Sequence, residues 1–431
     1  MLISKIKNLF SDSLYNKIFT NSFWIILSNI ISKCVLLIAT IIMAKYLGKE
    51  QYGQFGIIKS TLLMFVMFAS LELGLTATKY IAQYKNSDKI KVEKIIGISN
   101  LFALLIGFSF SSLVYIFANI IAYHINAPEI YQEIKLASLI IFFASINGIQ
   151  NGILAGLENF KELSINNAIA GVISSISLVI TSKYFDLKMV VVAFGLNYLL
   201  LFIFNYCSLR KVFYSQYDVN IFRKKNFEEI NILWKFSLPA ILAGLMVSPV
   251  VWLCNYFLVN QPSGYVEMAE FDIANQWRNT ILFIPAALSQ IALPLLTSAL
   301  NDNTNYKKIF NLNIKINFYL GFIMTVTFVA LSPFIIDFYG ENYERAIYPL
   351  IIMFTTTFLI TINNVIGQAI ASQGKMWYSF YVNTIWAIVL IICSYILIVK
   401  YQLGAIGLSL AFLISYIIHT PIQFLLIREK L

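Results

Sequence analysis

Residues 22–43 read SFWIILSNIISKCVLLIATIIM, and within these 22 positions only Lys33 carries a charge. A helix that crosses a bilayer needs about 20 mainly apolar residues. This stretch therefore reads as a membrane span with one lysine near its middle. The residues before it are polar or mixed, and no small-residue cleavage site follows, so the reading is a retained helix and not a secretory leader.

Eleven more runs of the same kind follow. They cover 55–75, 95–121, 134–157, 165–182, 189–209, 232–259, 271–295, 314–338, 346–370, 377–399 and 403–427. The composition agrees: 59% of the 431 residues are apolar and 12% are charged, whereas soluble domains carry about 25% charged residues. Disorder, a collagen-like fibre, a disulfide scaffold and an ordinary cytosolic enzyme are excluded. A β-barrel is excluded too, because the runs exceed 20 residues and do not alternate. The expected fold is all-α and membrane-embedded, with about twelve spans.

The net charge of +10 has a location. With the N-terminus inside, 18 Lys and Arg fall in inner segments and 7 in outer loops. That bias puts both termini in the cytoplasm. No basic cluster is long enough to suggest nucleic acid as a partner. Cys34, Cys207, Cys254 and Cys393 lie inside apolar runs without C-x-x-C spacing, and His124 and His419 are too few for a histidine metal site. No cofactor or metal is expected.

The longest connection, 210–231, carries Arg223, Lys224, Lys225, Glu228 and Glu229. It reads as a cytoplasmic linker between an N-lobe, 1–215, and a C-lobe, 216–431, each with six spans. An offset of 216 pairs Phe55 with Phe271, Ile146-Asn147 with Ile362-Asn363, Ala155 with Ala371 and Asn167 with Asn383. Six spans per repeat would make the halves parallel repeats with a cavity between them. Pro239, Pro249, Pro285 and Pro294 fall in spans 7 and 8 and favour kinks there.

No nucleophile–base pair and no phosphate-cradling glycine loop is present, so chemistry on a substrate is not expected. Ionisable residues inside the apolar runs are costly and point to function. Lys33 has Asn29 one turn before it. Lys59 lies near the outer end of span 2, where it either snorkels or lines a cavity. Arg278 shares a stripe of span 8 with Asp272, Asn275 and Asn279. Glu72 and Asp272 are candidates for an ion pair or for a coupling-ion ligand. Asn147, Gln150 and Asn151 in span 4, and Asn363, Asn364 and Gln368 in span 10, either line a sugar-binding cavity or join helices.

Several segments resemble bacterial polysaccharide-unit flippases of the Wzx type. They are Ala44-Lys45-Tyr46-Leu47-Gly48 with Tyr52-Gly53 and Phe55, and Leu73-Gly74-Leu75 with Thr78 and Lys79. Asn151, Gly152, Leu154, Gly156 and Phe160 continue the likeness, followed by Phe236-Ser237-Leu238-Pro239 and then by Asn364, Gly367, Ala371 and Gly374-Lys375. The resemblance implies the multidrug/oligosaccharidyl-lipid/polysaccharide exporter superfamily, with two six-helix lobes around a V-shaped cavity and alternating access. It implies that Lys33, Lys59 and Arg278 are cavity cations that bind a polyprenyl-pyrophosphate-linked oligosaccharide. Asn29, Asn147, Asn151, Asn275, Asn279, Asn363 and Gln368 would form the polar lining. The implied setting is surface polysaccharide assembly (O-antigen, capsule or exopolysaccharide), with membrane lipid, a polymerase and a chain-length regulator as partners. The alternatives are a cation-coupled multidrug antiporter of the same superfamily and a membrane polymerase or ligase. The first lacks an acidic residue in spans 1 and 7, and the second lacks a long outer loop.

Overall fold

The computed structural model describes residues 13–70, 73–232, 246–285, 302–373 and 376–428, together with 242, 244, 296 and 299. Glu72, Phe236-Ser237-Leu238-Pro239 and Gly374-Lys375 lie outside the described residues. The described chain is helical, and no strand occurs among these residues.

The first lobe contains α1 (Ser13–Ser70), α2 (Leu73–Tyr84), α3 (Lys89–Ile116), α4 (Ala118–His124), α5 (Tyr131–Gly156), α6 (Phe160–Tyr184) and α7 (Leu187–Val212). The second contains α8 (Ser248–Val259), α9 (Gly264–Ile281), α10 (Asn303–Asp337), α11 (Ile347–Ser372), α12 (Met376–Ser394) and α13 (Gly404–Arg428). Nine helices among the described residues are long and apolar enough to cross a membrane. One of them, Leu27–Ser70, has 44 residues and turns back at Gly48, whose φ of 72° and ψ of 172° break the helix. It supplies spans 1 and 2. The short apolar helix α8 and the more polar α9 complete the twelve expected segments.

Local sequence sets the starts of three helices. Asp88, Asp186 and Asp302 each accept a hydrogen bond from the backbone N–H three residues on, at 2.9, 3.2 and 3.1 Å, which satisfies an orphan donor of the first turn. Within the first lobe, α2 lies directly on α5. A Cβ at Gly74 would overlap the Gly148 carbonyl, and one at Gly152 would overlap the Gly74 carbonyl. Small residues allow such approach where lipid gives helices no hydrophobic drive to associate. The outward faces carry large apolar side chains, among them Phe108, Tyr319 and Phe334, as a lipid-facing surface requires.

Residues 213–229 do not hang free. Asn226 is buried against Gly97 of α3. Lys94 Nζ meets Glu228 Oε2 at 2.6 Å, and Glu93 accepts from the Asp218 N–H at 2.9 Å.

The connections at Gly48, 125–130, 185–186, 260–263, 338–346 and 401–403 lie between odd and even spans, so they share one end of the molecule. Among the described residues, hydrogen bonds between the lobes run from that end toward the middle of the spans. Tyr343 Oη donates to the Ala44 carbonyl at 2.9 Å, Tyr265 Oη to Ile125 at 2.6 Å, Trp252 Nε1 to Thr61 Oγ1 at 2.9 Å and Asn255 Nδ2 to Ser60 Oγ at 2.8 Å. Gly53 is the closest approach, since a Cβ there would overlap the backbone carbonyl of Tyr265. Among the described residues the lobes are shut at this end.

Candidate translocation site

Three levels of charge descend from the shut end along α1 and α9. Lys49 is one residue past the Gly48 turn, and its Nζ meets Glu270 Oε1 at 2.6 Å. Lys59 follows at about 16 Å along the helix from Gly48. Its Nζ meets both Asp272 carboxylate oxygens, at 2.7 and 2.8 Å. Both carboxylates are only 2% exposed. Such pairs offset their desolvation only when the geometry is good, and removing one partner strands a buried charge.

The third level differs. Lys33 lies fifteen residues before Gly48 and Arg278 fifteen after Ser263, so both sit about 22 Å from their turns. Lys33 Nζ reaches across to the Asn279 carbonyl at 3.4 Å and lies 5.2 Å from the Phe283 ring centroid. Arg278 donates through Nη2 to Asn275 Oδ1 at 2.7 Å, and its guanidinium lies 4.9 Å from the Phe412 centroid. Its Nε has no hydrogen-bond partner. Among the described residues no carboxylate pairs with either cation. Among the described residues, the site therefore passes from two neutralised levels to one in which neither cation meets a carboxylate.

Two of the three expected cavity cations need correction. Lys59 is not a free cation, because Asp272 neutralises it. Of the two roles considered for Asp272, the ion pair is the one observed. Arg278 is 7% exposed and turned into the C-lobe toward Phe412, not out into the cavity, because aromatic and amide contacts are available there. Lys33 lies between the lobes, in contact with Asn279 and Phe283. Asn147 and Asn151 do not line the cavity. Asn147 Nδ2 donates to the Tyr198 carbonyl at 2.8 Å, and Asn151 Oδ1 accepts from Asn205 at 2.8 Å. Gln150 donates to Phe202 at 3.3 Å. These amides join α5 to α7, the helix-packing role. Asn275 and Asn279 stay beside Arg278 and Lys33, and Asn29 lines a pocket with Lys33. Asn363 is buried with both amide atoms unpartnered, and Gln368 is half-buried on the same helix.

Glu270 and Lys49 were not legible as functional residues. The sequence reading starts span 8 at Phe271, whereas the helix begins at Gly264. Its early carboxylates are tolerated because each has a partner: Glu270 has Lys49, and Glu267 Oε2 accepts from the Ala405 N–H at 2.7 Å. Partners more than 200 residues apart leave no local signal.

Two helical lobes, shut at one end around a charged axis, define a multi-pass membrane transporter fold. Solved structures agree. An inward-facing multidrug transporter of the MATE family superposes with a TM-score of 0.76 at 16% identity, covering 92% of this chain and 94% of that one. The lipid II flippase MurJ in an inward closed conformation gives 0.74 at 18% identity, covering 93% and 87%. By the match of residues 18–300, the chain belongs to the polysaccharide biosynthesis protein family; this family and these structural neighbours are transporters and flippases, not enzymes. The EPS I polysaccharide export inner membrane protein EpsE of Ralstonia solanacearum is 28% identical over 191 residues, and the match spans 44% of each chain, less than half of that relative. The capsular polysaccharide biosynthesis protein CapF of Staphylococcus aureus is 23% identical over 317 residues, covering 71% of this chain and 77% of that one.

Proposed function

We propose that this protein flips a polyprenyl-pyrophosphate-linked oligosaccharide from the cytoplasmic to the outer leaflet by alternating access, for assembly of a surface polysaccharide. The observation that carries this reading is the unneutralised level of Lys33 and Arg278 beneath two neutralised ones. A cation in a low-dielectric site without a carboxylate is costly. A pyrophosphate entering from the open end supplies the missing charge, with Lys33 as its contact and Arg278 strengthening the local potential. Sugars would occupy the polar gap between lobes 1–215 and 216–431, and the prenyl chain would stay in lipid.

With both termini cytoplasmic, the shut end faces outward and the V opens to the side where the cargo is made. The names of EpsE and CapF place those relatives in export of an extracellular polysaccharide and in capsule biosynthesis, which supports a cargo of this class. A polymerase and a chain-length regulator would act next on the flipped unit. Against the cation-coupled drug antiporter of the same superfamily stands the lack of Asp or Glu in spans 1 and 7. A deletion strain carrying Lys33→Gln tests the reading. Surface polysaccharide should be lost while lipid-linked units accumulate on the cytoplasmic side; normal surface polysaccharide from an inserted Lys33→Gln protein overturns it.

A further inference from the structure

A pocket of about 250 Å³ opens beside Lys33, lined by residues of the first lobe. It is walled by α1, α6 and α7. Gly171 brings α6 close to α1: a Cβ there would sit 3.1 Å from the Ser32 side chain, and Ser32 Oγ donates to the Asn167 carbonyl at 3.3 Å. One side is built of hydroxyls and amides, including Ser32, Asn167, Ser174, Ser175 and Asn197, and the other of Phe194 and leucines. No carboxylate lines it, and Lys33 is its one charge. Ser175 is 1% exposed, yet its Oγ has no hydrogen-bond partner. A buried hydroxyl left unpaired is costly, and a ligand that supplies a partner recovers that cost.

We propose that this pocket is a subsite for one pyranose ring of the cargo, the ring bonded directly to the pyrophosphate. The proposal rests on the flippase reading above. A metal cation is disfavoured by Lys33 and by the lack of carboxylates. A prenyl chain would leave the hydroxyls and amides unpaired. A sugar ring matches both walls, because its hydroxyls donate to and accept from Ser and Asn side chains and its C–H face rests on Phe194. Pockets for drug-sized ligands run from roughly 300 to 1,000 Å³, so this one fits a single ring. Lys33 belongs to both the pocket and the unneutralised level, so the ring held here is the one nearest the phosphate.

The test measures binding to the purified full chain in nanodiscs. The probes are farnesyl pyrophosphate and the same lipid carrying one glucose, galactose or 2-acetamido counterpart. At least one sugar-bearing probe should bind more tightly than the bare lipid. Ser175→Val, or Asn197→Leu on α7, should weaken that probe about 3- to 10-fold, as expected for one hydrogen bond, and leave farnesyl pyrophosphate unchanged. Lys33→Gln should weaken every probe. If no sugar improves binding, or if both pocket variants weaken bare and sugar-bearing lipid equally or neither of them, the subsite is overturned while the flippase reading stands. If Lys33→Gln alters no probe, the flippase reading fails first.

Discussion

Gly53→Ala adds one methyl group where the lobes touch. The new Cβ would overlap the Tyr265 carbonyl, and neither atom can rotate away, because one is backbone and the other is fixed to it. Relief therefore requires the lobes to part at the shut end. Overpacking a well-packed contact costs about 1–3 kcal/mol, and a backbone clash belongs at the upper limit. Every 1.4 kcal/mol is tenfold, so the shut state should lose about 5- to 150-fold in population relative to the open one. The change sits in a helix, where Ala is favoured over Gly by about 1 kcal/mol, so the folded lobe itself should not be weakened. Gly152→Ala is the control: its Cβ meets the Gly74 carbonyl inside one lobe and should lower stability without separating the lobes. Spin labels at Glu50 and Ser263, which line one cleft between the lobes, report the distance by double electron–electron resonance. The account expects a short distance in the parent protein, a longer one in Gly53→Ala and reduced export. An unchanged distribution in Gly53→Ala would refute the claim that this backbone contact holds the shut end.

Four further outcomes follow. Lys59→Met should strand Asp272 and cost about 3–5 kcal/mol, read as a fall in melting temperature, whereas Lys59→Met with Asp272→Leu should recover most of it; equal loss in both would deny the pair. Arg278→Ala should abolish surface polysaccharide from an inserted protein, and Arg278→Lys should keep part of it, since charge survives without guanidinium geometry; full activity of Arg278→Ala removes it from the site. On a background lacking Cys34, Cys207, Cys254 and Cys393, Asp218→Cys should resist an impermeant thiol reagent in intact cells while Ser263→Cys is labelled, and the opposite result reverses the orientation. The hydrogen bond and charge of Lys94 hold the Glu228 carboxyl below its usual range. That contribution is present above the ordinary glutamate range and is lost as pH falls through the lowered value. Proteolysis of residues 213–229 should therefore rise at acidic pH in the parent, and Glu228→Gln should be cut readily at neutral pH.

The spans were legible because a run such as 22–43 cannot be soluble, and Lys33 stood out because nothing around it is charged. Asp272 and Lys59 were visible singly, but their pairing was not, since it joins two lobes more than 200 residues apart. Arg278 was recognised by its polar stripe, and its direction was decided by Phe412 on α13, which the stripe does not contain. The start of α9 was misplaced because Glu267 and Glu270 look like loop residues until Ala405 and Lys49 are beside them. Asn147 and Asn151 show the same limit: an amide in a span has two uses, and only the neighbouring helix decides between them. Gly53 appeared as part of a resemblance; its reason is the Tyr265 carbonyl.

The central claim is that Lys33 and Arg278 serve the transfer of a pyrophosphate-linked saccharide between leaflets. Vesicles reconstituted with the purified chain test it most directly, with a fluorescent polyprenyl-pyrophosphate saccharide in both leaflets and a membrane-impermeant quencher outside. The account predicts that the parent protein makes the inner-leaflet pool accessible to the quencher, that Lys33→Gln and Arg278→Ala leave it protected, and that a phospholipid carrying the same fluorophore stays protected throughout. Equal protection with and without the parent protein, or equal exposure of the phospholipid, would contradict it.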